Sequence, residues 1–117
     1  MVRVCITLSR DSALKSIRAT GHAGAWKNGG DPACSAVSVL LKTLAMLITG
    51  RFKKRADFSA QEEGEYFLVV HQSVKTDEWL LGVTDFIVTG LYSIEKEYPG
   101  TLLIDITDNK SEDIHGT

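Results

Sequence analysis

The sequence predicts an α+β fold in two layers, a mixed or antiparallel sheet of about five strands with two helices packed on one face. Three observations lead there. Five short segments carry the alternation or the apolar runs of strands. Two longer segments repeat apolar residues every three or four positions, as helices do. Their order along the chain is β-β-α-β-β-α-β, which suits one sheet covered on one side.

Residues 2–9 alternate, with Val2, Val4, Ile6 and Leu8 on one face and Arg3, Cys5, Thr7 and Ser9 on the other. Arg10-Asp11-Ser12 supplies a turn, and Leu14 to Thr20 reads as the hairpin partner. From Gly21 to Pro32 there is no apolar period, and Gly21, Gly24, Gly29 and Gly30 mark a loop that is either mobile or functional. The first helix opens with Asp31 as N-cap and Pro32 in the first helical position, where a missing N–H costs nothing. Val37, Leu40, Leu41, Leu44 and Ile48 form its stripe, and Gly50 is placed to end it in a left-handed cap. Residues 52–60 and 65–74 are the next two strand candidates, joined by Gln61-Glu62-Glu63-Gly64. A second helix is expected from Asp77 to Tyr98, with Leu80, Val83, Ile87, Leu91 and Ile94 along one side; Pro99-Gly100 stops it. Thr101 to Thr107 reads as the last strand. Residues 1–107 are thus expected to form one domain, and residues 108–117 a loosely held polar tail.

Composition narrows the function classes. The 117 residues are 44% hydrophobic and 24% charged, which excludes long disorder and a disulfide-dense scaffold. A net charge of -2 argues against a dedicated nucleic-acid site. The two cysteines, Cys5 and Cys34, form no CxxC pair and cannot make a zinc site alone, so neither metal nor cofactor is expected. No secretory signal opens the sequence, so a cytoplasmic protein with free thiols is expected. The apolar stretch from Ala33 to Thr49, broken by Ser35, Ser38, Lys42 and Thr43, reads as a core helix too polar to span a bilayer.

The reactive residues gather between Gly21 and Ser38. With Asp31 as N-cap, Cys34 is the third helical residue, where unpaired backbone N–H groups and the helix dipole favour a thiolate. His22, between two glycines at a strand exit, could reach it as base and then as acid to a leaving amine. The bland alternative is that Cys34 is core filler, as most cysteines on amphipathic helices are. Its place at the mouth of the stripe, beside a glycine loop, favours chemistry. Cys5 has no such context and reads as structural. Among the other histidines, His71 falls within a predicted strand and reads as a buried structural residue, and His115 lies in the tail. Asp31 serves as a cap and could also orient an imidazolium. Gly29-Gly30 do not make a phosphate cradle, because Asp31-Pro32 follow where Lys and Ser/Thr would be needed. The cluster Arg51, Lys53, Lys54 and Arg55 reads first as a complement to the helix C-terminus and an edge strand, and second as a docking patch for RNA or an acidic partner.

Gly21-His22-Ala23, a glycine-rich loop, and then Gly30-Asp31-Pro32-Ala33-Cys34-Ser35-Ala36-Val37-Ser38 resemble the signature of the ribosomal-processing cysteine protease family, Prp. The resemblance implies a cytoplasmic homodimer with a Cys34–His22 dyad, with Asp31 as the motif acid and Gly21 and Ser38 as motif positions. It implies cleavage of the N-terminal extension from the precursor of a large-subunit ribosomal protein. It also implies that the loop between His22 and Cys34 orders when substrate binds. Pro32-Ala33 stand where the family commonly carries two β-branched residues. From the residues alone two other readings stay open, a non-catalytic ribosome-associated module and a thiol hydrolase acting on small molecules.

Overall fold

The computed structural model describes residues 1–21, 32–60, 64–71 and 77–108. The first two strands, β1 (Val2–Leu8) and β2 (Leu14–Thr20), form the expected hairpin. The turn closes when the Ser9 N–H donates to the Ala13 carbonyl at 2.7 Å, with Ser12 in the left-handed region at φ 68°. Helix α1 (Pro32–Phe52) begins at the proline that the sequence marks as its first residue. A 3₁₀ turn (Lys53–Arg55) leads into β3 (Ala56–Ser59), which pairs antiparallel with β4 (Glu65–Val70). Helix α2 (Glu78–Glu97) then carries the chain across to β5 (Leu102–Asp108), which runs parallel to β1. The sheet is mixed, in the order β3-β4-β2-β1-β5.

Alternation decides which face is covered. Val4, Ile6, Leu14, Ile17 and Leu68 point to one side and are essentially inaccessible, packed under Leu41, Leu44 and Ile48 of α1 and Leu80, Ile87 and Leu91 of α2. Arg3, Cys5, Arg18, Glu65 and Asp105 lie on the opposite, open face. Each fully buried aliphatic side chain contributes about 1.5–3 kcal/mol relative to exposure. The Thr84 hydroxyl, buried in α2, accepts from the Leu14 N–H at 2.8 Å and donates to the Leu80 carbonyl at 2.7 Å. It ties the first β2 residue to the interior of α2.

The second quarter of the chain departs from the sequence expectation. Residues 52–60 are not one strand, and Gly50 does not end α1. Phe52 stands four positions beyond the fully buried Ile48 and extends the same stripe, so burying its ring keeps the helix going past the glycine. The left-handed residue that breaks the helix is Lys53, at φ 51°. The strand expected at 65–74 ends at Val70, the last residue paired with β3; residues 72–76 and the tail 109–117 lie outside the described residues. α1 with its 3₁₀ turn also has the length and apolar composition of a membrane-crossing helix, which corrects the expectation that it is too polar. Here its stripe is seated on the sheet.

The far ends of the two helices are tied by charge. Asp77, the N-cap of α2, accepts from the backbone N–H of Trp79 at 2.9 Å and of Leu80 at 3.3 Å. The Arg51 guanidinium pairs with the same carboxylate at 3.3 Å and lies over the Trp79 ring, 4.5 Å from its centroid. The Arg51 bond, together with the cap N–H groups, holds the Asp77 carboxyl below the usual carboxylate range. A depressed folded-state pKa means that this stabilisation is complete above the unfolded value and is lost as pH falls through the folded one. We therefore expect Asp77→Asn, which keeps a competent cap, to melt below wild type at pH 7. Its deficit in melting temperature should shrink as pH falls from about 4 through the lower folded-state value. A deficit of equal size at pH 7 and pH 2.5 would show that the ion pair contributes nothing.

Candidate active site

Two chain segments frame the site, the exit of β2 and the start of α1. β2 ends at Thr20 and turns at Gly21, whose φ is +82°. A Cβ there would meet the Met1 carbonyl oxygen at 2.9 Å, so both the left-handed backbone and the close approach require glycine. Gly21 thereby directs the chain at the residue before His22. His22 and Asp31 lie outside the described residues.

Cys34 is the third residue of α1, inside the first turn, as the sequence predicts. It is 5% exposed and belongs to the same buried cluster as Val37 and Leu41. Ser38 follows one turn later on the same face and is half-buried. Cys5 is a free, exposed thiol on the open sheet face, opposite Arg18 on β2 and Asp105 on β5, away from both framing segments.

Tyr66 brings the two segments together. It sits directly across from Ala19, three positions before His22, in the β2–β4 ladder. Its side chain crosses to the helix layer and donates from Oη to the Leu41 carbonyl of α1 at 2.7 Å. Leu41 is two helical turns beyond Cys34, about 10 Å along the axis. Cys34 and the β2 exit therefore share one end of the sheet. Burial pushes the Tyr66 phenol well above its usual range, which favours the neutral, donating form. Sequence reasoning missed this residue. Its only signal was an aromatic in an apolar strand, and a hydroxyl's partner on a distant helix leaves no local trace.

The opposite end of the sheet holds His71. Five strand residues, about 17 Å, separate it from Tyr66, which places it far from Cys34. It is also not the buried structural histidine that the sequence suggests. It lies just past β4, exposed, with Nε2 2.6 Å from the equally exposed Asp57 carboxylate. Tyr66, Leu68 and Val70 take the covered face of β4, so alternation turns the next side chain, His71, to the open face, while its backbone N–H still donates to the Arg55 carbonyl at 2.7 Å. The basic cluster is nearby and largely structural. Arg51 serves the α2 cap, and the Arg55 guanidinium lies over Phe52 at 5.4 Å. Lys53 and Lys54 remain exposed in the 3₁₀ turn before the edge strand. Among the described residues no cluster of three metal-ligating side chains occurs.

The fold has solved counterparts. The ribosomal processing protease Prp of S. aureus, in complex with a covalently linked product peptide, superposes with a TM-score of 0.76 at 23% identity, covering 92% of this chain and 100% of that one. The same protease in complex with a substrate peptide gives 0.73 at 19% identity, with the same coverage. SMU.848 from Streptococcus mutans gives 0.70 at 21%, covering 92% of this chain and 95% of its own. At these identities the likeness establishes the fold. Among curated proteins none matches the chain. The family model for the cysteine protease Prp matches residues 1–102, which include the β2 exit, the glycine-rich loop and the cysteine at the head of α1, so the chain belongs to the Prp family of cysteine proteases.

Proposed function

We propose that this cysteine protease is a cytoplasmic endopeptidase that removes the N-terminal extension of a large-subunit ribosomal protein, with Cys34 as nucleophile and His22 as its acid/base partner. The observation that carries the reading is the placement of Cys34 in the first turn of α1, at the end of the sheet where β2 stops and turns at Gly21. Elimination supports it. His71 stands at the far end, and Cys5 lies on the open face. The solved S. aureus Prp complexes, one with a substrate peptide and one with a covalently linked product peptide, support a polypeptide substrate.

The chemistry follows from those two side chains. The Cys34 thiolate attacks the scissile carbonyl carbon, and its electron pair forms the C–S bond as the C=O π pair moves onto oxygen. When the tetrahedral adduct collapses, the C–N bond breaks and the His22 imidazolium passes its proton to the departing amine. The neutral imidazole then takes a proton from water, whose oxygen displaces sulfur from the thioester. The acid product leaves, and the thiolate–imidazolium pair is restored. In this reading the motif acid Asp31 orients the imidazolium.

The same reading includes a homodimer formed through the outer face of the helix layer. Leu40, Leu44 and Leu47 of α1 and Trp79, Val83 and Phe86 of α2 line an apolar groove of about 510 Å³ on that face. Phe86 is 68% exposed at its rim, and Met46 on α1 is 75% exposed. Contiguous apolar surface of this kind marks an interface, and a second copy brings a matching face.

Cys34→Ala is expected to abolish cleavage of a peptide spanning the extension junction, and His22→Ala to lower kcat by orders of magnitude. Cys5→Ala should leave both constants unchanged. Retained turnover in Cys34→Ala would sink the assignment. Sedimentation should find a dimer at micromolar concentration and a monomer for Phe86→Asp. A wild-type monomer would remove the interface.

A further inference from the structure

We propose that Tyr66 is a positioning residue for the reaction, setting the separation between the two arms that carry His22 and Cys34; the inference rests on the dyad reading above. The geometry is a bridge. The Tyr66 backbone is paired with Ala19, three positions before His22, so its Cα is fixed to the arm that leaves β2. Its Oη is bonded at 2.7 Å to the Leu41 carbonyl, on the helix whose first turn holds Cys34. One rigid side chain thus spans from one arm to the other.

Among the described residues beyond its first turn, α1 otherwise meets the sheet through apolar side chains: Val37, Leu41, Leu44 and Ile48 belong to one buried cluster with Leu68 and Val70 of β4. Such contacts resist separation but have little directional preference, so they define the axial position of the helix less sharply than a hydrogen bond does. A hydrogen bond has a preferred length and angle and resists sliding. Beyond the first turn of α1, the Tyr66 bond is the side-chain hydrogen bond from the sheet to the helix body among the described residues. The ring itself is held, 8% exposed and packed at a tilt against Phe58 with centroids 5.1 Å apart. Nucleophile and base must stand within hydrogen-bond reach, and displacement by about 1 Å can cost roughly a hundredfold in rate.

The bond is separable from the fold. Tyr66→Phe keeps the ring and removes only the hydroxyl, while the Leu41 carbonyl retains its partner within the helix, so no buried group is orphaned. With cleavage of the junction peptide as the readout, Tyr66→Phe should lower kcat by about ten- to a hundredfold with KM unchanged. Its melting temperature should fall by no more than a few degrees. In a His22→Ala background, which has no dyad left to position, the same substitution should change kcat by less than roughly twofold. An equal loss in both backgrounds, or a rise in KM alone, would overturn the positioning role while leaving the dyad in place. Failure of Tyr66→Phe to fold would overturn it too, by making the hydroxyl a determinant of the fold. If Cys34→Ala retains turnover, the dyad reading itself has failed, and the role of Tyr66 fails with it.

Discussion

A sheet of five strands with one apolar face has to be covered, and among the described residues two long helices cover it. Five strands at about 4.8 Å spacing span about 19 Å between their outer axes, and two helices side by side are about 20 Å wide. The cover is just sufficient. Where it thins, at the two edges, apolar side chains on the covered face remain partly open: Phe58 on β3 is 43% exposed and Ile106 on β5 is 38% exposed. In the middle, Leu14 and Ile17 of β2 are fully inaccessible. The helix positions follow from this geometry, because each must lie lengthwise along the sheet with its stripe inward.

That constraint also locates the chemistry. α1 has 21 residues, so it is about 31 Å long, longer than any strand beneath it. Its two ends stand at the two ends of the sheet. One end meets the start of α2, where the Phe52 and Trp79 rings make an edge contact at 6.1 Å and Arg51 reaches Asp77. The other end carries Cys34 to the place where β2 turns at Gly21. The proposed site thus lies at an element junction, between the strand exit at Gly21 and the helix start that carries Cys34. A glycine that tolerates φ +82° and a tyrosine that spans the layers define the arms.

The helices are apolar on more than one side. Leu41, Leu44 and Ile48 are spent on the sheet, yet Val39, Met46, Leu47 and Phe86 face outward. A helix that is apolar nearly all round has to be covered on both faces or span a membrane. Here one face is covered by the sheet, and the groove between Leu40, Leu47 and Phe86 stays open on the other, the face assigned to the proposed dimer. The charged residues sort differently. The open sheet face carries Arg3, Arg18, Glu65 and Asp105 and stays in water, as antiparallel sheets allow.

Local rules alone determined the type and order of the five strands and two long helices described, the start of α1 at Pro32, and the place of Cys34 as the third residue of that helix. They sufficed because strand alternation, helical spacing and the proline position act over a few neighbouring residues. The family motif between Gly21 and Ser38 was legible for the same reason, being contiguous. What only the tertiary structure decided lies where distant segments compete for burial. Gly50 looked like a helix stop, but Phe52 had a core to fill, so α1 ran on to Lys53. His71 looked interior, but Tyr66, Leu68 and Val70 are the positions of β4 that the helices cover, and His71 follows them on the open face. Thr84 and Tyr66 gained their roles from a strand amide and a helix carbonyl 70 and 25 residues away. A side chain's partner across layers is set by the packing of whole elements, and no local pattern encodes it.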